Sequence, residues 1–458
     1  MFYWLEKAKQ SKAFISKNGH QTNTHFSRTS VAALAGGIVP WSGWDGQNHR
    51  PHPSENRPAS PDLARGGLDS DKGIAISERQ KQIGELVLKE IRLRLKFLIY
   101  NMKRIVFPFF FLISINTFSK YYEIKSSSDL FRYIGRFDLS DTQNVKFAHS
   151  GNQIEFLFKG KNFRIGLKDT LVKDGGENTN YYNITINGTV KYVVQGTSNL
   201  KYHEIEINSM DSFSRVEIFK KTEAICGTAI FYGIRFKEGK IKKTEAKKRR
   251  VEWVGDSFLV GYGNRVSIEI PPEGNPNTGF HSINQDGYFA FGAIVSRNLN
   301  ADFSCVGVSG RGVYRNFDGS QNGTIPKVYR KLYPGHELEK EYDFSFNPDL
   351  IVIKIGTNDF GGEMNVPPDM TDSLSFSDAY MEFLQYVTQK NPNAKIVLAV
   401  GGGITDFYPI GLKRLSRFKS WVKIIKEIAD KEFSNKFGFF EFQPQNPPYG
   451  EDWHPTLI

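Results

Sequence analysis

Between residues 251 and 442, short apolar runs alternate with longer segments of helical character, and this alternation limits the possible folds most strongly. Helical patterns lie near residues 287–300, 377–390 and 410–431. The runs that we interpret as buried strands are residues 251–254, 301–308, 350–355, 395–400 and 438–442. Apolar strands joined through helices are typical of a parallel sheet with helices on both faces. We therefore predict an α/β domain over residues 249–458.

The chain before this domain has short runs in which apolar and polar residues alternate. Residues 153–158 are one such run, and the runs that flank Asn187-Gly188 carry a hairpin signal. A period of two with frequent turns indicates antiparallel strands, so we predict an N-terminal β-sandwich of jelly-roll type over residues 121–240. The boundary between the two domains falls near residues 240–250.

The formal net charge of +11 is concentrated in one place. Residues 237–250 hold eight Lys or Arg and two Glu, which is more than half of the excess. Charge alone is compatible with nuclear targeting or nucleic-acid binding. However, no recognised nucleic-acid module accompanies this run, and a solvated linker or strand edge explains it. We expect no nucleic-acid partner.

The first part of the chain has a different character. Residues 41–71 are rich in Pro, Gly, Ser and Asn, which favours disorder, whereas residues 78–100 have the spacing of an amphipathic helix. Residues 102–119, MKRIVFPFFFLISINTFS, have the shape of a secretory signal peptide. Either Met102 is the true start and residues 1–101 are a spurious or fused extension, or the segment is an internal buried or membrane-associated helix.

We expect the first of these alternatives, because the apolar run of residues 102–119 is short for a helix that spans a membrane. The protein is then secreted or periplasmic, without stable membrane insertion after the signal is removed. Cys226 and Cys305 lie in apolar runs without metal-ligand spacing, so they are two buried thiols or a disulfide. The oligomeric state is open.

Ser257 stands at a position where a hydroxyl can react. In residues 251–263, VEWVGDSFLVGYG, it follows a buried strand and precedes the first turn of a helix. Open α/β sheets bind ligands at this edge, and a helix N-terminus offers N–H groups to an anion. Taken alone, Gly-Asp-Ser is also an ordinary turn with a capping residue.

A histidine near the end of the chain supplies a base for this serine. The loop after the last predicted strand contains Glu451, Asp452, Trp453 and His454. Serine is a poor nucleophile until a base takes its proton, and His454 can do so while Asp452 or Glu451 holds its other ring nitrogen. Trp453 beside the base is either an apolar or stacking wall for acetyl or sugar, or ordinary core packing.

Two further loops supply hydrogen-bond donors for a developing oxyanion. Residues 309–316, SGRGVYRN, which we call the glycine loop or Gly310 loop, supply the N–H of Gly310. Residues 356–359, GTND, supply the side chain of Asn358. With the N–H of Ser257, these donors suit acyl transfer. The chain lacks a G-x-S-x-G elbow, which disfavours the α/β-hydrolase fold.

Other polar residues near these loops have simpler interpretations. We expect Asp256 and Asp359 to fix loops by hydrogen bonds. Arg315 is a candidate ion-pair partner within the glycine loop, and His281 lies in a Pro/Gly/Asn-rich loop, where exposure to solvent is the simpler explanation. None of the four is assigned to the site.

The four blocks GDS, the Gly310 loop, GTND and the late Asp/His-Pro resemble, in this order, those of the SGNH (GDSL-like) hydrolases. Residues 288–316, together with the preceding sandwich, are similar to carbohydrate esterase family two, the acetylxylan-type esterases. The resemblance covers residues 121–458. It implies a three-layer α/β/α catalytic domain and a substrate that is an O-acetylated plant polysaccharide, such as xylan or glucomannan, or a sugar. It also implies that no metal or other cofactor is needed.

The same resemblance implies the role of each site residue. Ser257 is the nucleophile, His454 the base, and Gly310 and Asn358 are oxyanion donors. The family's usual Asp lies three residues before the His, where this chain has Glu451, and Asp452 is offset by one. Some relatives look like Ser-His dyads, so Asp452, Glu451 or neither orients the imidazole.

The carboxyl end departs from the family pattern as well. Only residues 456–458 follow the His-Pro, where relatives continue into a closing helix. We expect either a truncated fragment or a helix that is supplied otherwise, and a missing helix would expose apolar sheet surface.

The sequence thus predicts a secreted two-domain serine esterase that deacetylates a carbohydrate through an acyl-enzyme. One alternative is a carbohydrate-binding protein with an impaired esterase domain. Another is a lipid or thioester hydrolase of the same fold.

Overall fold

A computed structural model describes residues 78–113, 120–170, 178–334, 340–361, 371–433 and 437–457. The chain divides into two compact units, Met1–Phe118 and Ser119–Ile458. In the first, helix α1 (Glu78–Ile113) contains the expected amphipathic segment, and its apolar side chains from Ile83 to Tyr100 are exposed. Within the described residues, no helix has the length and apolar character needed to cross a membrane.

The signal-like segment is helical as far as the structure describes it. Helix α1 runs through Met102 without a break and ends at Ile113. Residues 114–119 and residues 1–77 lie outside the described part of the chain. The expected extension and signal peptide therefore stay predictions.

The amino-terminal half of the second unit is an antiparallel sheet that curls around its own core. Strands β5 and β8 are its longest, and β5 pairs with β8 along both of its halves across register shifts near Gly160. The sheet order is β3-β4-β9-β5-β8-β6-β7, with β1 on β9 and β2 and β10 on β5. Its strands in the described residues are β1 (Tyr122–Lys125), β2 (Arg132–Ile134), β3 (Phe137–Asp138), β4 (Val145–Phe147), β5 (Gln153–Asp169), β6 (Tyr181–Ile186), β7 (Thr189–Gln195), β8 (Lys201–Lys220), β9 (Ala229–Phe236) and β10 (Lys240–Lys242).

This architecture confirms the predicted antiparallel domain, with one difference. Residues 203–207 and 214–219 have the pattern of two separate alternating runs with mostly polar residues between them, but in the structure both belong to the single strand β8. Their backbone pairing with β5 continues on both sides of the polar stretch, and Asn208 takes a left-handed φ of 51° there. The polar stretch that looks like a turn in the sequence is therefore an irregularity within one long strand.

The carboxyl-terminal half is a five-stranded parallel sheet in the order β12-β11-β13-β14-β15. Val254 on β11 packs into the core formed with α5 and α6, whereas Trp253 points to the other face and donates a 3.0 Å hydrogen bond to Ser296 on α2. The predicted parallel sheet with helices on both faces is confirmed. Its elements are β11 (Arg249–Gly255), α2 (Phe291–Asn298), β12 (Ala301–Gly307), α3 (Ile325–Tyr329), β13 (Leu350–Lys354), α4 (Thr357–Phe360), α5 (Ser373–Lys390), β14 (Lys395–Val400), α6 (Arg414–Glu432) and β15 (Phe437–Glu441).

The position of β11 between two parallel neighbours creates the place for a site. This strand pairs with β12 on one side and with β13 on the other, all in parallel. The loops that carry Ser257, Gly310 and Asn358 therefore leave the sheet side by side, because the carboxyl ends of parallel strands share one edge.

Apolar surface is exposed on the last strand of the parallel sheet. Phe440 on β15 has 43% of its surface exposed. Phe291 and Ile294 of α2 and Phe442 line a cavity of about 280 Å³ on this side of the sheet.

Buried charges join the antiparallel domain to the parallel sheet. Arg136 follows β2 and is fully buried. Its guanidinium lies 3.3 Å from the carboxylate of Glu252 on β11. It also stacks against the rings of Tyr329 and Tyr342, at 4.6 and 4.2 Å from their centroids. Glu252 also accepts hydrogen bonds from Ser304 and from the Tyr329 hydroxyl. A charge this deep is tolerated only when it is paired and hydrogen-bonded.

A second buried ion pair lies at the opposite edge of the parallel sheet from the site. Arg132 on β2 binds Asp302, the second residue of β12, at 2.7 Å, and Glu155 on β5 also at 2.7 Å. Arg215 and Thr244 complete the shell of Glu155.

We predict that Arg136→Ala lowers the free energy of unfolding by about 3–5 kcal/mol, because it leaves the Glu252 carboxylate buried without its cation. Urea denaturation followed by fluorescence measures the loss. Arg164→Ala is the matched control, since the ion pair of Arg164 with Glu204 is 40% and 49% exposed and contributes about 0–1 kcal/mol. Equal losses in the two variants would contradict the proposed importance of the buried pair.

Candidate active site

Ser257 and His454 form the centre of the site. The Ser257 hydroxyl lies just beyond the end of β11, only 7% of the residue is exposed, and its Oγ is 2.7 Å from Nε2 of His454. Asp256 fixes this turn as expected: its carboxylate accepts from the N–H of Phe258 at 3.1 Å and pairs with the Lys354 ammonium at 3.1 Å. The two residues that the sequence places 197 positions apart therefore meet in hydrogen-bonding geometry.

A main-chain carbonyl orients the imidazole. Nδ1 of His454 lies 2.9 Å from the carbonyl oxygen of Glu451. A carbonyl only accepts, so Nδ1 must carry the hydrogen, and in the neutral ring Nε2 is then the acceptor. Nε2 is thus set to receive the proton of the Ser257 hydroxyl.

The expectation that Asp452 holds the imidazole is wrong for this structure. One oxygen of its carboxylate accepts from the Tyr262 hydroxyl at 2.6 Å, and the other accepts from the N–H groups of Thr278 and Gly279 at 3.0 Å each. Asp452 and Trp453 have left-handed φ values of 46° and 63°. This backbone turn sends the Asp452 side chain towards the loop of residues 271–286.

The alternative, Glu451, does not hold the imidazole by its side chain either. Its carboxylate is 2% exposed and binds Nδ1 of His281 at 2.7 Å and the Asn284 amide at 2.6 Å. Gly263, with φ 55°, lets the main chain of Glu451 approach, since a Cβ there would lie 2.6 Å from the Glu451 nitrogen. Both carboxylates thus anchor the 271–286 loop, and His281, although 43% exposed in its side chain, has a structural partner.

Tyr262 is a site residue that the sequence interpretation missed. Its ring stacks on the His454 imidazole with centroids 4.2 Å apart and planes 24° apart, and Phe258 contacts the imidazole at 5.0 Å. Asp452 accepts from the Tyr262 hydroxyl, so its carboxylate contacts the ring that stacks on the imidazole rather than the imidazole itself. The signal was present in the stretch GDSFLVGYG, where the tyrosine follows Ser257 by five positions.

Burial lowers the pKa of His454. The Glu451 carbonyl and the charges of Asp256 and Asp452 act in the opposite direction, and Lys354 adds to the lowering. Because burial dominates, the imidazole is neutral at pH 7. A neutral imidazole is the form that a general base requires.

The expected oxyanion donors lie on the two loops beside Ser257. Gly310 has a left-handed φ of 73°, and Asn358, on the first turn of α4, is 8% exposed and donates to the Arg311 carbonyl at 2.9 Å, which uses one of its two amide hydrogens. Asp359 fixes the glycine loop as expected. Its carboxylate accepts three main-chain N–H groups, those of Val313, Tyr314 and Arg315.

Arg315 has a different partner from the expected carboxylate. Its guanidinium donates to the main-chain carbonyl of Asp359 at 3.0 Å and to the Thr371 hydroxyl. The arginine therefore closes the loop by neutral acceptors and stays outside the reacting groups.

Trp453 lies at the surface next to the base. It is 40% exposed, its ring lies 5.2 Å from that of Tyr449, and its Nε1 donates to Asn277 at 2.9 Å. Ordinary core packing is thus the wrong explanation for this residue. An indole held at its polar edge offers an apolar face to a ligand.

Metal ligands do not gather around these residues. In the described part of the chain, no group of three or more His, Cys, Asp or Glu has the arrangement to hold a metal ion. Cys226 and Cys305 are both free and buried, which decides between the thiol and disulfide alternatives for this structure.

Comparison with known proteins identifies both halves of the second unit. Residues 133–245 match the family "Carbohydrate esterase 2 N-terminal", and residues 253–457 match the "GDSL-like Lipase/Acylhydrolase family". The cellulase/esterase CelE of Acetivibrio thermocellus is 29% identical over 329 residues, which is 71% of this chain but 37% of that protein. The chain thus matches little more than a third of the length of that relative.

One further curated protein and one solved structure are also similar to this chain. An acetylxylan esterase/glucomannan deacetylase of Cellvibrio japonicus is 26% identical over 260 residues, covering 55% of this chain and 67% of that protein. The structure of a family two carbohydrate esterase from Clostridium thermocellum, in complex with cellohexaose, superposes with a TM-score of 0.62 at 27% identity, covering 71% of this chain and 93% of that one. Residues 253–457 therefore match the GDSL-like hydrolases, and the chain resembles carbohydrate esterase family two in both halves of its second unit.

Proposed function

We propose that this protein is a serine esterase that removes O-acetyl groups from a plant polysaccharide such as xylan or glucomannan, or from sugars. The observation that carries the proposal is the 2.7 Å contact between the Ser257 hydroxyl and Nε2 of His454, with Nδ1 held by the Glu451 carbonyl. A serine whose hydroxyl faces an unprotonated imidazole nitrogen is an activated nucleophile.

The reaction proceeds in two halves. The Ser257 oxygen attacks the acetyl carbonyl while Nε2 of His454 takes its proton. The N–H of Ser257, the N–H of Gly310 and the Asn358 amide stabilise the negative charge on the carbonyl oxygen. The imidazolium then protonates the departing sugar hydroxyl, which leaves acetyl-Ser257. Water, deprotonated by His454, attacks this ester, and the imidazolium returns the proton to the Ser257 oxygen as acetate leaves.

The choice of a carbohydrate acetate rests on the relatives and on Trp453. Relatives are named cellulase/esterase and acetylxylan esterase/glucomannan deacetylase. The exposed indole of Trp453, next to the base, offers a face for a sugar ring or the acetyl methyl. Export from the cell is part of the same proposal, and it rests on the signal-like sequence of residues 102–119 alone.

We predict that Ser257→Ala reduces hydrolysis of 4-nitrophenyl acetate by at least about 10³-fold, because no other group forms the acyl-enzyme. The exposed Ser127→Ala is the control and keeps wild-type turnover. A fluorophosphonate probe adds its mass to Ser257 in the wild type and in the control. Undiminished turnover by Ser257→Ala would refute the assignment.

The substrate class is tested with the same wild-type protein. We expect acetate release from acetylated xylan and little hydrolysis of long-chain acyl esters. Faster cleavage of the long-chain esters would support a lipid hydrolase. Binding of xylan without probe labelling or acetate release would support a carbohydrate-binding protein.

The lowered pKa of His454 predicts the pH profile. Only the neutral imidazole accepts the serine proton, so kcat/KM falls as the pH falls through the pKa of His454 and is constant above it. We expect an apparent pKa below the ordinary value of about 6.5 and, at pH 7, at least about three quarters of the plateau rate. An apparent pKa above 7 would contradict the dominant effect of burial.

Asp452→Asn distinguishes the geometry of this site from a Ser-His-Asp triad. Because the Asp452 carboxylate binds Tyr262 and the 271–286 loop, we predict a loss in kcat of less than about tenfold. Replacing the orienting Asp of a triad costs about 10⁴-fold in kcat. Steady-state kinetics on 4-nitrophenyl acetate decides, and a loss of 10³-fold or more would mean that Asp452 orients the imidazole during turnover.

A further inference from the structure

Glu223 is a buried carboxylate of the antiparallel domain that contacts the glycine loop of the site. It follows β8 by three residues and has no exposed surface. One oxygen of its carboxylate accepts the N–H of Ser309 at 2.7 Å, and the other accepts from the Ser309 hydroxyl and from Gln285 at 2.9 Å. Ser309 is the residue directly before Gly310.

The direction of these hydrogen bonds follows from the main chain. The N–H of Glu223 donates to Oε1 of Gln285 at 2.9 Å. A main-chain N–H only donates, so this contact fixes the amide of Gln285 with its NH₂ towards Glu223. The carboxylate therefore faces two groups that only donate, and the Ser309 hydroxyl, which is free to rotate, donates as the third. This arrangement satisfies an ionised carboxylate in a place that water does not reach.

The hydrogen bonds between Glu223 and Ser309 determine the direction of the Gly310 N–H. The peptide between Ser309 and Gly310 carries the N–H that is a candidate oxyanion donor, and Gly310 then turns at a φ of 73°. Beyond this turn, the Asp359 carboxylate holds the N–H groups of residues 313–315. Two buried carboxylates thus clamp the loop from its two ends, one from each domain.

We propose that Glu223 is a positioning residue for catalysis, which holds Ser309 so that the N–H of Gly310 is aimed at the oxyanion of the reacting ester. The role extends the proposed esterase function and rests on it. Through this contact, the antiparallel domain takes part in the reaction without contributing a group that touches the substrate.

The test compares Glu223→Gln with Glu155→Gln. Glu155 is the matched control because it is also a buried glutamate of the antiparallel domain, 2% exposed, and it joins the parallel sheet through Arg132 and Asp302 at the amino end of β12. Both changes remove one charged acceptor from a buried network between the domains. Only the change at Glu223 lies next to the glycine loop.

We expect Glu223→Gln to lower kcat for 4-nitrophenyl acetate by about 10- to 100-fold with KM within about twofold, because a misplaced oxyanion donor acts in the transition state. Glu155→Gln keeps kcat within about twofold, even if its melting temperature falls by as much as that of Glu223→Gln. Ser309→Ala, which keeps the N–H contact and loses the hydroxyl contact, falls between the wild type and Glu223→Gln.

A second measurement does not depend on turnover. Hydrogen exchange followed by mass spectrometry reports the protection of residues 309–312, and we expect faster exchange of this peptide in Glu223→Gln but not in Glu155→Gln. Unchanged exchange or an unchanged kcat in Glu223→Gln overturns the proposal. A wild type that hydrolyses no ester and binds no fluorophosphonate refutes the proposed function instead.

A double-mutant cycle separates positioning from a general loss of structure. Asn358→Ala removes another donor to the same oxyanion. If Glu223 acts on the oxyanion site, the losses in kcat from Glu223→Gln and Asn358→Ala are not additive, because residues of one constellation couple. Additive losses, as expected when Glu155→Gln is combined with Asn358→Ala, overturn the proposal.

Discussion

A buried carboxylate must find its hydrogen-bond donors inside the protein, and this requirement fixes the parts of the structure that matter for function. Ionised carboxyl groups are too costly to bury without partners. Glu252 obtains donors from Arg136 and thereby joins the two domains. Glu223 and Asp359 obtain them from the main chain of the glycine loop, and Glu451 obtains them from the 271–286 loop. Each buried acid is thus a point where one segment is held against another.

Much of the fold and the main site residues were predictable from the sequence because they depend on local patterns. Apolar runs of strand length separated by helical segments gave the parallel sheet, and Gly-Asp-Ser after such a run placed Ser257 at its edge. The loops with Gly310 and Asn358 follow neighbouring strands for the same reason. Period-two patterning predicted the antiparallel domain, although the polar middle of β8 hid the continuity of that strand.

The orientation of the imidazole was not predictable because it depends on two backbone torsions. Asp452 and Trp453 take left-handed φ values, a conformation that is uncommon for residues other than glycine. With that turn, the carbonyl of Glu451 faces His454, while both acidic side chains face the 271–286 loop. Residue type and spacing are the same whether a carboxylate or a carbonyl holds the ring. Only the path of the chain separates the two.

A carbonyl partner changes the energetics of the base. A carboxylate stabilises the imidazolium that forms during acylation by a full charge, whereas a carbonyl contributes only a dipole. Burial favours the neutral ring and outweighs the opposite effect of the carbonyl, so the base is available near neutral pH but gains less when it becomes charged. Stabilisation of the transition state then depends more on the donors to the oxyanion. The exact position of the Gly310 loop therefore has a larger effect on the activation barrier than it would with a base held by a carboxylate.

This dependence gives the antiparallel domain a role beyond packing. Its residues contribute no nucleophile, base or oxyanion donor, yet Glu223 binds the residue before Gly310, and Lys221 reaches the carbonyl of Ile283 in the loop that Glu451 anchors. The glycine loop and the 271–286 loop thus each have one anchor in each domain. A loop held from one side alone keeps freedom that the developing oxyanion would have to remove during the reaction. Attachment to both domains removes that freedom when the protein folds, before any substrate binds.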